Sequence, residues 1–267
     1  MTLLTTIPLH LLDGARTATL PSCTWLAHLS VLAIDSAAAL TTGDYESCAL
    51  VLAGTFDLVG GGTAWPARGA RTTPTGGRPV AVFLPPRTRF VAANGTGEIL
   101  LLGARQPKAP EPTGKDALQK APLLQMAGSG KAFDPGTGEW KPAETFPSSP
   151  ESLPPRRIER LALAGCVVER VFTQDYKAAT LSVDEIVLAD GGTFAARELP
   201  LPQAQECLLY VRTTGELDIT AHSQRITVRG EQAVLWQGAP DQLTCTARGG
   251  TAYVVCGYAG KERAAHG

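Results

Sequence analysis

The sequence predicts an all-β protein with two similar barrels on one chain, and three observations support this fold class. Short apolar or alternating runs separated by turn residues occur in two series, at residues 24–103 and 166–258. The two series resemble each other, and a proline-rich stretch lies between them. Aromatic residues make up only 6% of the chain, whereas it has 28 glycines and 20 prolines. This composition favours many turns and short strands over long helices.

The first series predicts a meander of strands. Its runs are TWLAHLSVLAI, ESCALVLAGTFDLV, RPVAVFLPP, RFVAA and GEILLLGA, with GGG, NG and PP between them. The second series has the same character, and its runs are CVVERVFT, ATLSVDEIVLA, ECLLYVRTTGELDIT, QRITVRG, QAVLWQG, DQLTCTA and TAYVVCGY. Alternation is clearest in ATLSVDEIVL, which is typical of a two-faced sheet.

Residues 105–157 differ from both series, because they are rich in Pro, Lys and Glu and lack strand periodicity. A helical turn or two is expected only around Lys115–Met126. We interpret the stretch as an interdomain linker in extended conformation across the surface. The sequence therefore predicts one barrel at residues 1–104, the linker at 105–157 and a second barrel at 158–267.

An internal repeat supports the two-barrel organisation. Both copies run from a glutamate through an apolar strand to a glycine turn and then to an aspartate. The corresponding residues are Glu46, Gly54 and Asp57 in the first copy and Glu206, Gly215 and Asp218 in the second. The shared order extends over about 50 residues, which is more than composition alone produces. We expect the two aspartates on the outward face of a hairpin.

Charge and targeting signals exclude several function classes. The 24 Lys and Arg residues nearly balance the 25 Asp and Glu residues, and no basic face or cluster indicates a nucleic acid or membrane partner. No apolar run approaches the ~20 residues that a bilayer span needs. The first residues lack the positive charge of a secretory signal, and the six cysteines show no C-x-x-C spacing. We expect a cytoplasmic protein with reduced, mostly buried thiols.

The segments ALVLAGTFDLVGGG and VAVFLPPRTRFVAA carry a resemblance to a known family. A strand ending in V-L-x-G, a short alternating strand, and a proline turn into the next strand resemble the paired motifs of the cupin superfamily. Two such modules make a bicupin, that is, two tandem jelly-roll barrels. The N-terminal module is most similar to the 5-deoxyglucuronate isomerase and 4-deoxy-uronate isomerase group. The C-terminal module is more similar to the second half of pirin-type bicupins.

The resemblance does not extend to the metal ligands. A metal-dependent cupin needs three imidazoles and a carboxylate, and two of the histidines occur as H-x-H on one strand face. This chain has only His10, His28, His222 and His266, and no H-x-H. Phe90 and Asp241 stand near the slot where a ligand histidine is expected. The sequence therefore predicts a bicupin without a metal or other cofactor.

The isomerase resemblance implies proton transfer between adjacent carbons of a sugar acid. Without a metal, a carboxylate base and an electrophilic donor could serve. In the C-terminal barrel the candidates are Glu206 as base, Tyr210 and Arg197 as donors, Gln205 and Gln203 as substrate-binding residues, and Asp241 from the neighbouring motif. The alternative role of each is structural: a strand cap or solvated rim for Glu206, and core packing for Tyr210.

Two functions of different class remain open. One is a sugar-acid isomerase or a related enzyme of small polar metabolites. The other is a non-catalytic bicupin that binds a small polar ligand or a protein partner. The lining of each barrel discriminates between them, because a polar pocket indicates a ligand, whereas a plug of Phe90, Phe83 or Trp236 indicates a scaffold. We expect any activity in the C-terminal barrel, and the family resemblance implies a homodimer.

Overall fold

The computed structural model describes residues 3–12, 14–20, 23–60, 63–106, 124–125, 131–134, 139–142, 159–172, 180–198, 204–238 and 242–260. Apart from one 3-10 turn at Ala196–Glu198, their regular structure is β-strand. No helix capable of crossing a membrane occurs in these ranges. The strands form two nine-stranded sheets and one small three-stranded sheet.

Nine strands from the first half of the chain form one antiparallel sheet, which we call the N-terminal barrel. They are β2 (Leu9–Leu12), β3 (Ala15–Ala18), β4 (Leu26–Ile34), β5 (Ala37–Thr41), β6 (Tyr45–Gly60), β7 (Thr63–Arg71), β8 (Val80–Leu84), β9 (Arg89–Ala93) and β10 (Gly97–Arg105). Their main path runs β2-β3-β4-β10-β6-β9-β5, and β7 and β8 also pair with β6.

The second large sheet contains eight strands from the last part of the chain and one from its start, and we call it the C-terminal barrel. The first strand is β1 (Leu3–Ile7), and the others are β14 (Glu159–Leu163), β15 (Cys166–Phe172), β16 (Ser182–Leu188), β17 (Thr193–Ala195), β18 (Ala204–Ala221), β19 (Gln224–Gln237), β20 (Leu243–Arg248) and β21 (Ala252–Gly260). Strand β1 pairs along its length with β19, so the start of the chain belongs to this sheet.

The repeat seen in the sequence corresponds to the longest strand of each barrel. Strand β6 pairs with β10 and β8 before its bend, and with β7 and β9 after it. Strand β18 likewise pairs with β21 before its bend and with β20 after it, while β19 follows it throughout. The pairing register shifts beside Gly54 in β6 and across Gly215 in β18. One bent strand thus joins the two halves of each barrel.

The region predicted as a linker contains short strands that its composition does not predict. Strands β11 (Leu124–Gln125), β12 (Lys131–Asp134) and β13 (Glu139–Pro142) form an antiparallel sheet of their own. The helical turn expected around Lys115–Met126 falls outside the described residues, except for Leu124–Gln125, which is strand. Proline-rich composition did not reveal these strands because each is only two to four residues long.

Three apolar clusters show where the core lies. One draws its members from the N-terminal barrel alone and includes Phe90, Trp65 and Val51. A second draws on the C-terminal sheet and includes Trp236 and Phe194. Strand alternation places these two clusters inside their barrels. The third contains residues of both sheets, so it lies between the barrels.

The cluster between the barrels holds the two together. Leu50 and Leu102 of the N-terminal barrel share it with Leu208 and Val255 of the C-terminal barrel. The approach is close: a Cβ at Gly257 would lie 2.0 Å from Leu102 Cδ2. Burying apolar surface of this kind contributes roughly 25 cal/mol per Å².

Candidate functional site

Apolar side chains occupy most of each barrel interior, and the C-terminal barrel also contains the buried Arg170–Asp184 pair. Phe90 and Trp236 are buried inside the N-terminal and C-terminal barrels, respectively, as the plug hypothesis expects. Phe83 is buried as well, but it lies in the cluster between the barrels. A cupin metal would need imidazole and carboxylate donors in these interiors. In the described part of the chain no group of His, Cys, Asp or Glu residues fits a metal ion.

The histidines do not converge on one place. His28 on β4 makes a 2.8 Å hydrogen bond with Ser30 and stacks on Tyr45. His222 lies in the tight turn between β18 and β19, with a positive φ of 52°. His10 is exposed on the edge strand β2, and His266 falls outside the described residues.

Glu206 points out of its barrel toward the other one. Along β18 the side chains of Cys207 and Leu209 face the barrel interior, whereas Leu208 and Tyr210 face the cluster between the barrels. Alternation gives Glu206 the second orientation. Its carboxylate accepts hydrogen bonds from the backbone N–H groups that open β4. The donors are Thr24 at 2.6 Å, Trp25 at 3.0 Å and Leu26 at 2.8 Å.

Glu46 makes the equivalent contacts in the opposite direction. Its Oε1 accepts from Thr180 N at 2.8 Å, from Thr180 Oγ1 at 2.8 Å and from Leu181 N at 2.7 Å, just before β16. The two repeat glutamates are therefore reciprocal caps, each on the first residues of a strand in the other barrel. Carboxylate-to-backbone bonds of this type are worth about 1.5–3 kcal/mol each. The catalytic role of Glu206 stays a prediction, but both of its oxygens are already engaged.

The other predicted site residues are only partly brought together. Gln205 is exposed and accepts a 3.2 Å hydrogen bond from Trp25 Nε1, close to the Glu206 cap. Tyr210 donates a 2.5 Å hydrogen bond to Glu231 Oε1, and burial raises the pKa of its hydroxyl well above the usual value. Arg197 is exposed in the 3-10 turn after β17. Gln203 and Asp241 lie outside the described residues.

Tyr210 belongs to an ionic network that bridges the barrels on one side. Arg16 and Arg212 both pair with Glu98, at 2.6 and 2.7 Å, and with Glu231, at 3.1 and 3.4 Å. Burial acts to raise the pKa of Glu98, but hydrogen bonds from the two arginines outweigh it, so that the pKa is lowered. These contacts serve cohesion between the barrels.

A buried ion pair joins the barrels elsewhere in the interface. Arg71, at the end of β7, donates to both carboxylate oxygens of Glu185 on β16, at 2.6 and 2.7 Å. Both side chains are 2% exposed. Tyr253 of β21 also donates to Glu185. Burial acts to lower the pKa of Arg71, but the bonds and charge of Glu185 outweigh it, so the guanidinium stays charged.

A cleft whose lining includes both members of this ion pair lies between the barrels, and we call it the inter-barrel cleft. Its volume is about 250 Å³. Its lining residues are Arg71, Pro74, Thr75, Gly77 and Arg78 from the N-terminal barrel, and Val167, Glu169, Glu185 and Val187 from the C-terminal barrel. The lining therefore combines four charged residues, namely two arginines and two glutamates, with two valines and a threonine. Arg78 is exposed at the rim, and its guanidinium pairs with no carboxylate among the residues that the structure describes.

Sequence reasoning missed the cleft, because its polar groups come from a turn and two strands distant in the chain. A signal was nonetheless present in β16, where Asp184 and Glu185 interrupt the apolar run ATLSVDEIVL. Two adjacent carboxylates point to opposite faces of a strand, so each needs a partner when both faces are buried. Glu185 finds Arg71 between the barrels, and Asp184 finds Arg170 Nε at 3.3 Å inside the C-terminal barrel.

Solved structures with a similar fold cover nearly the whole chain. An IolB-like protein from Salmonella typhimurium superposes with a TM-score of 0.63 at 14% identity, covering 97% of this chain and 92% of that one. Oxalate decarboxylase from Lactobacillus farciminis gives 0.56 at 11% identity, covering 96% and 86%. Quercetin 2,3-dioxygenase from Acinetobacter baumannii gives 0.56 at 9%, covering 96% and 78%.

The likeness to these structures confirms the fold predicted from the sequence, which is two tandem cupin barrels. At identities this low it establishes the fold alone. No protein-family model and no curated protein sequence matches the chain.

Proposed function

We propose that this bicupin binds a small polar metabolite of the sugar-acid class in the inter-barrel cleft, rather than inside a barrel. The observation that carries the proposal is the contrast in lining. The N-terminal barrel interior is packed with apolar side chains, and in the C-terminal barrel apolar side chains surround the buried Arg170–Asp184 pair, whereas the cleft presents charged and hydroxyl-bearing residues around about 250 Å³. Drug-sized ligands occupy pockets of roughly 300–1,000 Å³, so a somewhat smaller cleft suits a metabolite of a few carbons.

The lining groups match a carboxylate that carries several hydroxyls. Arg71 and Glu185 neutralise each other at the floor, which leaves Arg78 as the cationic group for an incoming carboxylate. Glu169 and Thr75 line the same space, and carboxylate and hydroxyl side chains of this kind can bond to hydroxyl groups of a ligand. Val167 and Val187 supply an apolar surface for the carbon skeleton.

Isothermal titration of the full chain with glucuronate, and with glucose as the neutral counterpart, tests the binding proposal. We expect glucuronate to bind and glucose to bind at least about tenfold more weakly, because a charge-assisted hydrogen bond is worth about 1.5–3 kcal/mol. Arg78→Gln should reduce glucuronate affinity by a similar factor. Arg89→Gln, which changes an exposed arginine outside the cleft, is the matched control. Equal affinity of both variants would contradict the proposal.

The enzymatic alternative is a deoxy-uronate isomerase, and one observation favours placing its chemistry in the same cleft. Glu169 and Arg78 face one cavity as a carboxylate and a cationic donor, the two groups that proton transfer next to a carbonyl needs. An isomerase assay with Glu169→Gln and Glu206→Gln separates the sites. Loss of turnover in Glu169→Gln alone supports the cleft, loss in folded Glu206→Gln supports the site predicted from the sequence, and no turnover in the wild type leaves a binding protein.

A further inference from the structure

The loop between β7 and β8, residues 72–79, supplies part of the lining of the inter-barrel cleft. It carries Arg78, the cationic group that the proposed function assigns to the ligand. Most of its residues are exposed, and Gly76 and Gly77 are adjacent in it. Inside the loop the Gly76 N–H donates to the Thr73 carbonyl oxygen at 3.0 Å. An exposed loop of this kind has little apolar packing to fix its course.

The guanidinium of Arg71, the last residue of β7, bonds both to this loop and to the other barrel. Its Nε donates to the Arg78 carbonyl oxygen at 3.0 Å, and its Nη2 donates to that of Gly77 at 3.2 Å. Its Nη1 donates to the Val51 carbonyl oxygen of β6 at 3.4 Å. The same two Nη atoms bind the two oxygens of Glu185. Among the residues that the structure describes, no other side chain bonds to the backbone of the loop.

These contacts use the whole hydrogen-bonding capacity of Arg71. A guanidinium has five N–H donors, and each of them meets an acceptor oxygen here. The side chain is also 2% exposed, so a ligand could bind it only by displacing Glu185 or a carbonyl. Arg78 differs, because its side chain is exposed at the rim while its backbone is held. One arginine is therefore placed to hold the loop, and the other is free to meet a ligand.

We propose that Arg71 is a positioning residue of the inter-barrel cleft: by bonding to the loop backbone and to Glu185 together, it keeps Arg78 at the rim of the cleft. This inference rests on the proposed function, because it concerns the same binding site. A loop that is held before binding loses less conformational freedom when the ligand arrives, which strengthens affinity. Because the bonds of Arg71 span both barrels, the docking of the barrels also fixes the loop.

Hydrogen–deuterium exchange of the full chain without ligand, followed by titration with glucuronate, tests the role of Arg71. In Arg71→Lys the charge next to Glu185 remains, but a single ammonium nitrogen cannot reach the loop carbonyls and both carboxylate oxygens at once. We expect residues 72–78, with the Gly76 amide as reporter, to exchange about tenfold faster, the effect of losing one hydrogen bond to a charged group. Glucuronate affinity should fall about three- to tenfold, because binding must then order the loop.

Tyr253→Phe is the matched control, because it removes a donor to Glu185 and leaves every bond of Arg71 in place. Its loop should exchange at the wild-type rate, and its glucuronate affinity should be unchanged. Arg71→Met combined with Glu185→Gln leaves neither charge of the buried pair, and it reports on the loop if Arg71→Lys does not fold. The same faster exchange is expected in that double variant.

Three results would overturn the proposal. They are wild-type exchange of residues 72–78 in the Arg71 variants, an equal increase in Tyr253→Phe, and full glucuronate affinity in Arg71→Lys. The last result would leave the proposed function standing, since the wild type would still bind. If the wild type does not bind glucuronate, the proposed function fails, whereas exchange without ligand still decides whether Arg71 holds the loop.

Discussion

At the scale of single residues, the two repeat glutamates show what the sequence can and cannot predict. Their equivalence is visible in the sequence, and the structure gives Glu46 and Glu206 the same role on opposite sides of one interface. Alternation along β18 also predicts that Glu206 and Tyr210 share a face. Which face meets the other barrel cannot be read from a strand that is apolar on both sides, so the sequence predicted both residues only as part of a site in the C-terminal barrel.

The capping role predicts a large loss of stability in Glu206→Gln. The amide keeps one acceptor oxygen for three backbone donors, so at least one N–H remains buried without a partner. We expect the free energy of unfolding to fall by about 2–4 kcal/mol, measured by urea denaturation. Glu216→Gln is the control, because that exposed ion pair should contribute below about 1 kcal/mol. Equal losses in the two variants would refute the capping role.

Asp218 predicts a pH dependence of stability. It lies on the face of β18 opposite the interior residues Leu217 and Ile219, which is the outward face expected from the sequence. Thr227, Arg225 and Arg248 cover it there and bind its carboxylate at 2.7, 2.6 and 2.8 Å, so that it is buried. The hydrogen bond from the Thr227 hydroxyl has the largest effect in lowering the pKa of the Asp218 carboxyl, and the hydrogen bond from Arg225 has the next largest.

A carboxyl with a lowered folded-state pKa contributes stability above its unfolded pKa of about 3.9, and this contribution disappears as pH falls through the folded value. Asp218→Asn should therefore destabilise the protein at pH 7, and the difference from the wild type should shrink below about pH 4. Urea denaturation across pH 3–7 measures it, and a difference that stays constant with pH would count against the assignment.

At the scale of elements, the bends in β6 and β18 explain why each copy of the internal repeat has a glycine, Gly54 in the first and Gly215 in the second. Gly54 has a φ of +100°, and a Cβ there would lie 2.2 Å from the Thr96 carbonyl oxygen. Periodicity predicted most strands of both barrels, and turn residues marked their ends. It could not predict that β1 joins β19, because register between segments over 200 residues apart depends on the folded barrel.

The bend predicts a difference between two glycine substitutions of similar backbone conformation. Gly54→Ala should lower the free energy of unfolding by more than about 2 kcal/mol, because steric conflict adds to the cost of a positive φ. Gly14 also has a positive φ, +78°, but a Cβ added there would have open space around it. For Gly14→Ala we therefore expect the free energy of unfolding to fall only by the cost of the positive φ, about 1 kcal/mol. Thermal denaturation of both variants compares them, and a larger effect at Gly14 would be inconsistent with the bend.

At the scale of the whole molecule, the interface between the barrels both holds the two barrels together and contains the candidate binding site. The apolar cluster, the two glutamate caps and the Arg71–Glu185 pair fix one barrel against the other. The cleft exists only because the turn after Arg71 meets strands β15 and β16. Fold class was therefore predictable from local patterns, while the cleft depends on the docking of two barrels that no local pattern encodes.

The buried pair predicts strong coupling across the interface. Arg71→Met leaves Glu185 buried without its counter-ion, which should cost about 3–5 kcal/mol. Adding Glu185→Gln should recover part of that loss, because the unpaired charge is removed. A double-mutant cycle by chemical denaturation measures the coupling, and additive losses would show that the two side chains act independently.

The location of the ligand is the central claim, and hydrogen–deuterium exchange of the full chain with and without saturating glucuronate tests it most directly. Binding in the cleft predicts slower exchange in residues 72–78, 166–170 and 183–187, where its lining lies, with no change around Phe90 or Trp236. Arg78→Gln should lose this protection at the same ligand concentration. Protection in the strands of the C-terminal barrel that leaves residues 72–78 unchanged would instead place the ligand inside that barrel and contradict the proposal.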